Sequence, residues 1–188
     1  MSIIVDEPAR QIAERVAAER NRRGWSLAEL SERSGVSKAM LSKIEREDVS
    51  PTASILARIA TAFGQTLAGL LKPPEGEPVK LLRSREQPRW QDPASGYVRK
   101  QVFQSAEIPL ELVDVHLPPG ARVAFPASSY AFIRQVVWLL SGRLEIVEGK
   151  EKFALEAGDR LEFGSPADSA FHNPGEKSAH YLVALVRQ

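Results

Sequence analysis

Hydrophobic and polar positions along the 188 residues follow two different periods. Over about the first seventy, apolar residues recur every three or four positions, the spacing of helices that bury one face. Ile12 and Val16 stack at i,i+4 with Ala13 and Ala17 beside them, which predicts a helix from about Pro8 to Arg23. Ser26 and Glu29 make an S-x-x-E capping box with Trp25 and Leu30 as its hydrophobic staple, starting a second helix. Gly35 marks a tight turn. Ser37 then caps a third helix, about Lys38 to Glu47, and Val36 with Leu41 repeats the staple. That helix buries Leu41 and Ile44 and leaves Lys38, Ala39, Ser42 and Lys43 projecting from its other side. Ser50 as N-cap with Pro51 in the first turn predicts a fourth helix, whose buried stripe is Ile55, Leu56, Ile59, Ala60 and Phe63. Gly64 ends it, and Thr66 to Leu71 reads as a short fifth.

From about Val79 the period becomes two. Val98 to Phe103, Leu110 to Leu117, Gln135 to Leu140, Leu144 to Val147, Phe153 to Leu155, Arg160 to Phe163 and Ala179 to Val186 read as short strands. Turn signals such as Pro118-Pro119-Gly120, Ser141-Gly142 and Ala157-Gly158-Asp159 separate them, the punctuation of a sandwich or barrel. Between the two regimes lies KPPEGEP, through which no helix can run. The expected organisation is a helical domain over 1–72, a linker over 73–78 and a β domain over 79–188.

Composition narrows the chemistry. Lys+Arg 25 against Asp+Glu 24 gives a net charge of +1, so any affinity for nucleic acid must come from a local basic surface. Cysteine is absent, which removes disulfides, thiolate metal sites and thiol nucleophiles together. The first residues lack the basic and apolar runs of a secretory leader, and no stretch has the length of a membrane span, so a cytoplasmic location away from membranes is expected.

At the quoted residues a resemblance becomes specific. G-W-S before the second helix, L-S-E-R-S-G-V-S through the turn, L-S-K-I-E-R after it and S-P-T-A-S-I-L-A-R-I-A opening the fourth helix resemble the helix-turn-helix of Cro and repressor proteins, the xenobiotic-response-element family of bacterial regulators. The resemblance implies a double-stranded DNA operator as partner and binding as a homodimer on half-sites about one helical turn apart. It places Lys38, Ala39, Met40 and Lys43 at base edges, and Ser26 and Ser37 at phosphates. Ser42 shares the exposed face, while Arg46, with Arg22 and Arg23, would add phosphate contacts. Arg20 and Glu45 would form a structural ion pair. Two positions depart from the pattern: Leu27 stands where many relatives have Gln, and Glu47-Asp48 replaces a Gly-containing turn. A Leu can press on a thymine methyl but cannot make the bidentate adenine contact. The plainer alternative is a bundle that makes protein contacts only. Against it, Lys38 and Lys43 lie on the exposed face and the carboxylates at the far end of the helix.

L-P-P-G-A, V-V-W-L-L-S-G-R-L-E-I, L-E-A-G-D-R-L-E-F and F-H-N-P-G-E resemble successive strands and turns of a cupin. The fold class expected is therefore an all-α five-helix helix-turn-helix bundle followed by an all-β double-stranded jelly-roll (cupin) barrel. Cupin enzymes hold a metal with an H-x-H pair, a Glu and a further His. Here the H-x-H pair falls within Ser128 to Ala131, the Glu position is Gln135 and the last His position is Ser169. No cofactor, metal or catalytic residue is thus expected. His172 should point away from the barrel interior, and a novel site built from His116, His172 and His180 is the less favoured reading. An interior lined by Gln135, Val137, Leu139, Ser169, Phe171 and Tyr130 suits a small-molecule effector, with Trp90 and Trp138 as further candidates. Lys80, Arg83, Arg85, Arg89, Arg99 and Lys100 form either an auxiliary phosphate strip or, preferably, an edge strand guarded by charge. The function that follows is an operator-binding transcriptional regulator whose metal-free cupin senses a small molecule. The alternatives are a metal-dependent enzyme tethered to DNA and a DNA-binding dimer whose barrel is purely structural.

Overall fold

The computed structural model describes residues 7–71, 80–105 and 107–188, grouped in two compact units, Met1–Glu75 and Gly76–Gln188. The linker expected over 73–78 lies outside the described residues.

The first unit is helical: α1 (Glu7–Arg22), α2 (Leu27–Ser34), α3 (Lys38–Glu45), α4 (Ala53–Ala62) and α5 (Leu67–Leu71). Ile12, Val16, Leu30, Leu41, Ile44, Leu56, Ile59 and Leu70 are buried in its core, from every helix of the bundle. Arg20 of α1 reaches Glu45 of α3 through two hydrogen bonds, Nε to Oε1 at 2.7 Å and a second guanidinium nitrogen to Oε2 at 2.9 Å. It also donates to the Trp25 carbonyl, so one side chain ties α1, α3 and the loop before α2 together. Thr52, not Ser50, is the N-cap of α4, its Oγ1 accepting from the Ile55 amide at 3.4 Å. The expected start was two residues early because Pro51 is buried as part of the preceding loop rather than in the first turn of the helix.

The described residues of the second unit form ten strands: β1 (Arg89–Gln91), β2 (Val98–Gln104), β3 (Leu110–Leu117), β4 (Arg122–Phe125), β5 (Ile133–Ser141), β6 (Arg143–Glu148), β7 (Glu151–Glu156), β8 (Arg160–Glu162), β9 (Ser169–His172) and β10 (Ala179–Arg187). They form a six-stranded sheet, β1-β2-β3-β10-β5-β8, and a four-stranded sheet, β4-β9-β6-β7. All the pairings are antiparallel. The closed barrel expected from the sequence is therefore two open sheets. Edge strands β1 and β8, three residues each, offer too few ladder bonds to close one sheet on the other. Side chains join the sheets instead: Phe171 of β9 stacks on Tyr181 of β10 at 5.9 Å, and Asn173 donates to the Leu117 carbonyl at 2.8 Å. Gly142, at φ 86°, makes the β5–β6 turn where a Cβ would lie 2.8 Å from the Ser178 carbonyl oxygen, so only glycine fits.

Candidate nucleic-acid interface

The chemistry of α2 and α3 starts at their caps. Ser26 Oγ accepts from the Glu29 amide at 3.2 Å while Glu29 Oε2 accepts from the Ser26 amide at 2.7 Å, completing the capping box. Backbone bonding from Ser26, more than any other cause, holds the Glu29 carboxyl below its ordinary range. Gly35, in left-handed conformation at φ 63°, ends α2 and turns the chain into Ser37, whose Oγ accepts from the Met40 amide at 3.2 Å. Both serines are exposed, and each keeps its hydroxyl hydrogen to donate to an acceptor outside the protein, such as a phosphate oxygen. No acid lies in the first turn of α3, so its helix dipole presents an uncompensated positive end.

Leu41 and Ile44 anchor α3, with 0% and 1% of their surfaces exposed. At 100° per residue the opposite face is centred on Ala39, Lys43 and Arg46, flanked by Lys38 and Ser42. Lys38, Ala39, Lys43 and Arg46 are exposed, whereas Leu27, Met40 and Ser42 are half-buried at the margin. Arg46 is partly neutralised by Asp48, 2.8 Å away. Arg23 is withdrawn from any such surface. It pairs with Glu19, donates to the Phe63 carbonyl at 2.6 Å and lies over the Phe63 ring, while Arg22 stays exposed beside the same Glu19.

Two further cations border the turn. Arg33 is exposed and stacks 4.4 Å from the Trp25 ring centre, and the exposed Arg58 guanidinium lies over Gly35, 2.6 Å from where a Cβ would stand. Sequence reading passed over both, because Arg58 comes from α4 and meets the turn only in the folded bundle. The i,i+8 spacing of Trp25 and Arg33 was the one available signal.

In the β unit, Gln135, Val137, Leu139, Ser169, Phe171 and Tyr130 are all buried. Tyr130 and Ser169 share a short hydrogen bond between their hydroxyls, and burial pushes the Tyr130 phenol well above its usual range. Phe163 and Phe171 stack between the sheets. Only Tyr130 and Gln135 of the six border an open recess of about 220 Å³, mouth included, together with Arg134, Glu148, Phe163 and Gly164. Gln135 Nε2 is buried there without a close hydrogen bond, although its side chain acts on the Tyr130 phenol. The residues at the cupin ligand positions supply an amide and hydroxyls, with no imidazole, so they do not fit a metal. Trp138 is 49% exposed on the outer face of β5 and lines nothing inside. Lys80, Arg83, Arg85 and Arg89 are exposed, but Arg99 is buried and Lys100 pairs with Asp114, which interrupts the basic strip.

The helix-turn-helix family model matches residues 16–70, the span that contains α2, α3 and α4. The HTH-type transcriptional regulator SutR of Escherichia coli (strain K12) is 28% identical over 163 residues, 86% of each chain. A helix-turn-helix family transcriptional regulator from Vibrio cholerae has the same fold along nearly its whole length, with a TM-score of 0.78, 22% identity and coverage of 95% of this chain and 96% of that one. The β-rich unit has weaker neighbours. A cupin domain of an XRE family transcriptional regulator from Enterobacter cloacae matches at a TM-score of 0.44 and 22% identity, over 48% of this chain and 95% of that one. Hydroxypropylphosphonic acid epoxidase from S. wedmorenis, an enzyme, matches along both units rather than the β-rich one alone, at 0.49 and 19%, over 97% of this chain and 100% of that one. With its capped α2 and α3, the Gly35 turn and the Arg20–Glu45 clasp, the segment 16–70 belongs to the helix-turn-helix family of Cro and repressor type.

Proposed function

We propose that this protein is a sequence-specific, operator-binding transcriptional regulator that acts as a homodimer. The observation that carries the reading is the exposed face of α3: Ala39, Lys43 and Arg46 at its centre, Lys38 at its dipole-positive end, and two capping hydroxyls able to reach phosphate. Selection of bound sequences from random DNA, followed by footprinting, tests it. The expected result is a site with dyad symmetry and half-sites about 10–10.5 base pairs apart or a multiple of that spacing. Binding that is indifferent to sequence at every salt concentration would reject the reading.

In this reading the β-rich unit supplies the dimer contact and an effector site at the recess beside Tyr130 and Gln135. The Gln135 amide, whose buried Nε2 faces the Tyr130 phenol without a close hydrogen bond, supports an effector with an oxygen acceptor. A specific observation also favours the purely structural alternative: the enclosed part of the recess is about 10 Å³, room for roughly one water molecule, against the ~300–1,000 Å³ of ordinary ligand sites. The enzyme alternative draws no support from the residues at the cupin ligand positions.

A further inference from the structure

The outer face of the six-stranded sheet carries a cluster that neither the DNA-binding face nor the recess uses. His116 of β3 and His180 of β10 are direct cross-strand partners, and their rings stack with centres 4.2 Å apart and planes 10° from parallel. Asp114, two residues before His116 and therefore on the same face of β3, turns its Oδ1 to both imidazoles. It lies 3.0 Å from His180 Nε2 and 3.4 Å from His116 Nε2. One atom from each of the three residues thus lies within 4.8 Å of the others.

We propose that Asp114, His116 and His180 form a divalent transition-metal site, best suited to zinc, on the outer face of the β-rich unit. A tetrahedral zinc ion at its usual bond lengths holds neighbouring ligand atoms about 3.3 Å apart. Both nitrogen–oxygen separations are within about 0.4 Å of that spacing, and one of the two stacked rings must turn out of parallel so that both in-plane nitrogen lone pairs face the ion. The donor set, two imidazoles and one carboxylate, is the borderline nitrogen and oxygen chemistry zinc accepts, and it leaves a fourth position for water. The strands hold the cross-strand pair in register without the ion, so little chain ordering is needed on binding. Access is open, because the side chains of His116, His180 and Asp114 are 48%, 30% and 18% exposed.

The charges around the cluster identify its competitor. Lys100 of β2 sits 3.2 Å from the other carboxylate oxygen, Asp114 Oδ2, and Arg89 of β1 adds a second positive charge acting on His116. A dication must displace or tolerate Lys100, so the site is of modest affinity and weakened by its own neighbour. His172 provides a contrast. It lies on the other sheet with Glu145 and Lys152 and has no second imidazole beside it.

The test is titration of the full-length, untagged, chelator-stripped protein with Zn²⁺ by calorimetry, and with Co²⁺ by its ligand-field absorption. The expected result is a single saturable ion per chain, with affinity reduced at least tenfold in His116→Ala and in His180→Ala. Lys100→Gln should tighten binding several-fold, and His172→Ala should leave it unchanged. Circular dichroism of the exposed-site variants should match that of the parent chain. Parental affinity in His180→Ala, or an equal loss in His172→Ala, would overturn the proposal, as would loss of binding in Lys100→Gln. None of these outcomes depends on operator binding, so the site stands or falls separately from the function proposed above.

Discussion

Glu47 is the residue whose backbone conflicts most plainly with its chemistry. It is the one non-glycine residue with positive φ among those described, at 63°, immediately after the C-cap of α3. Its amide donates to the Ile44 carbonyl at 3.0 Å, and the Asp48 amide to Lys43 at 2.9 Å, so the left-handed step is needed to satisfy the end of the helix. Left-handed backbone costs a residue with a Cβ about 1–2 kcal/mol, of which glycine's greater unfolded entropy recovers part. Glu47→Gly should therefore raise stability by roughly 0.5–1 kcal/mol in urea denaturation. A stability equal to or below the parent's would show that the Glu47 side chain earns compensating contacts. The departure was legible in the sequence as Glu47-Asp48 in place of a glycine turn, but its backbone conformation was not.

α3 is a short element with two opposite duties. One side holds Leu41, Ile44 and the Glu45–Arg20 clasp, and the other holds the side chains offered to DNA. Because Lys38 and Lys43 are exposed and make no intramolecular ion pair among the described residues, replacing both by Ala should change stability by less than about 0.5 kcal/mol. Operator affinity should fall, by about 1–3 kcal/mol for each side chain that reads a base. Measuring binding across a salt series separates the roles, since a lost phosphate contact lowers the slope of log K against log salt by about one. Unchanged affinity for the selected operator would remove α3 from the recognition role. Strands β3, β5 and β10 were found from the sequence to within two residues at either end, because alternation is strong where one face is buried. Strands β1 and β4, only three and four residues long, carry too little periodic signal to be read.

The two units divide the work by the kind of interior each can make. The helical unit fills its core mainly with aliphatic side chains and Phe63, and its buried Glu19 and Ser34 are satisfied by Arg22, Arg23 and the Leu30 carbonyl. The β-rich unit has Tyr130, Gln135 and Ser169 between its sheets, polar groups that need partners wherever they are buried. If the recess holds an effector, a panel of small carboxylate and carbonyl metabolites should contain one that raises the melting temperature of the full chain, and Gln135→Leu should abolish that shift. A flat panel, with Gln135→Leu as stable as the parent or more so, would support a purely structural unit.

Local patterns in the sequence determined the caps of α2 and α3, the turn at Gly35, most of the buried stripes and the change of period, but not the cap of α4. Each depends on residues a few positions apart, whose side chains must meet in a helix or alternate in a strand. The absence of imidazole from the cupin ligand positions was likewise visible once the turns fixed their spacing. What only the tertiary structure decided are the meetings between distant segments. Arg58 lies over Gly35, the strands form two sheets rather than a closed barrel, and His116 stacks on His180. Register between strands about sixty residues apart, here β3 and β10, depends on the packing of the whole sheet. No local pattern encodes it, which is why the sequence offered His116, His172 and His180 only as a less favoured joint site, whereas the fold stacks His116 on His180 and leaves His172 on the other sheet.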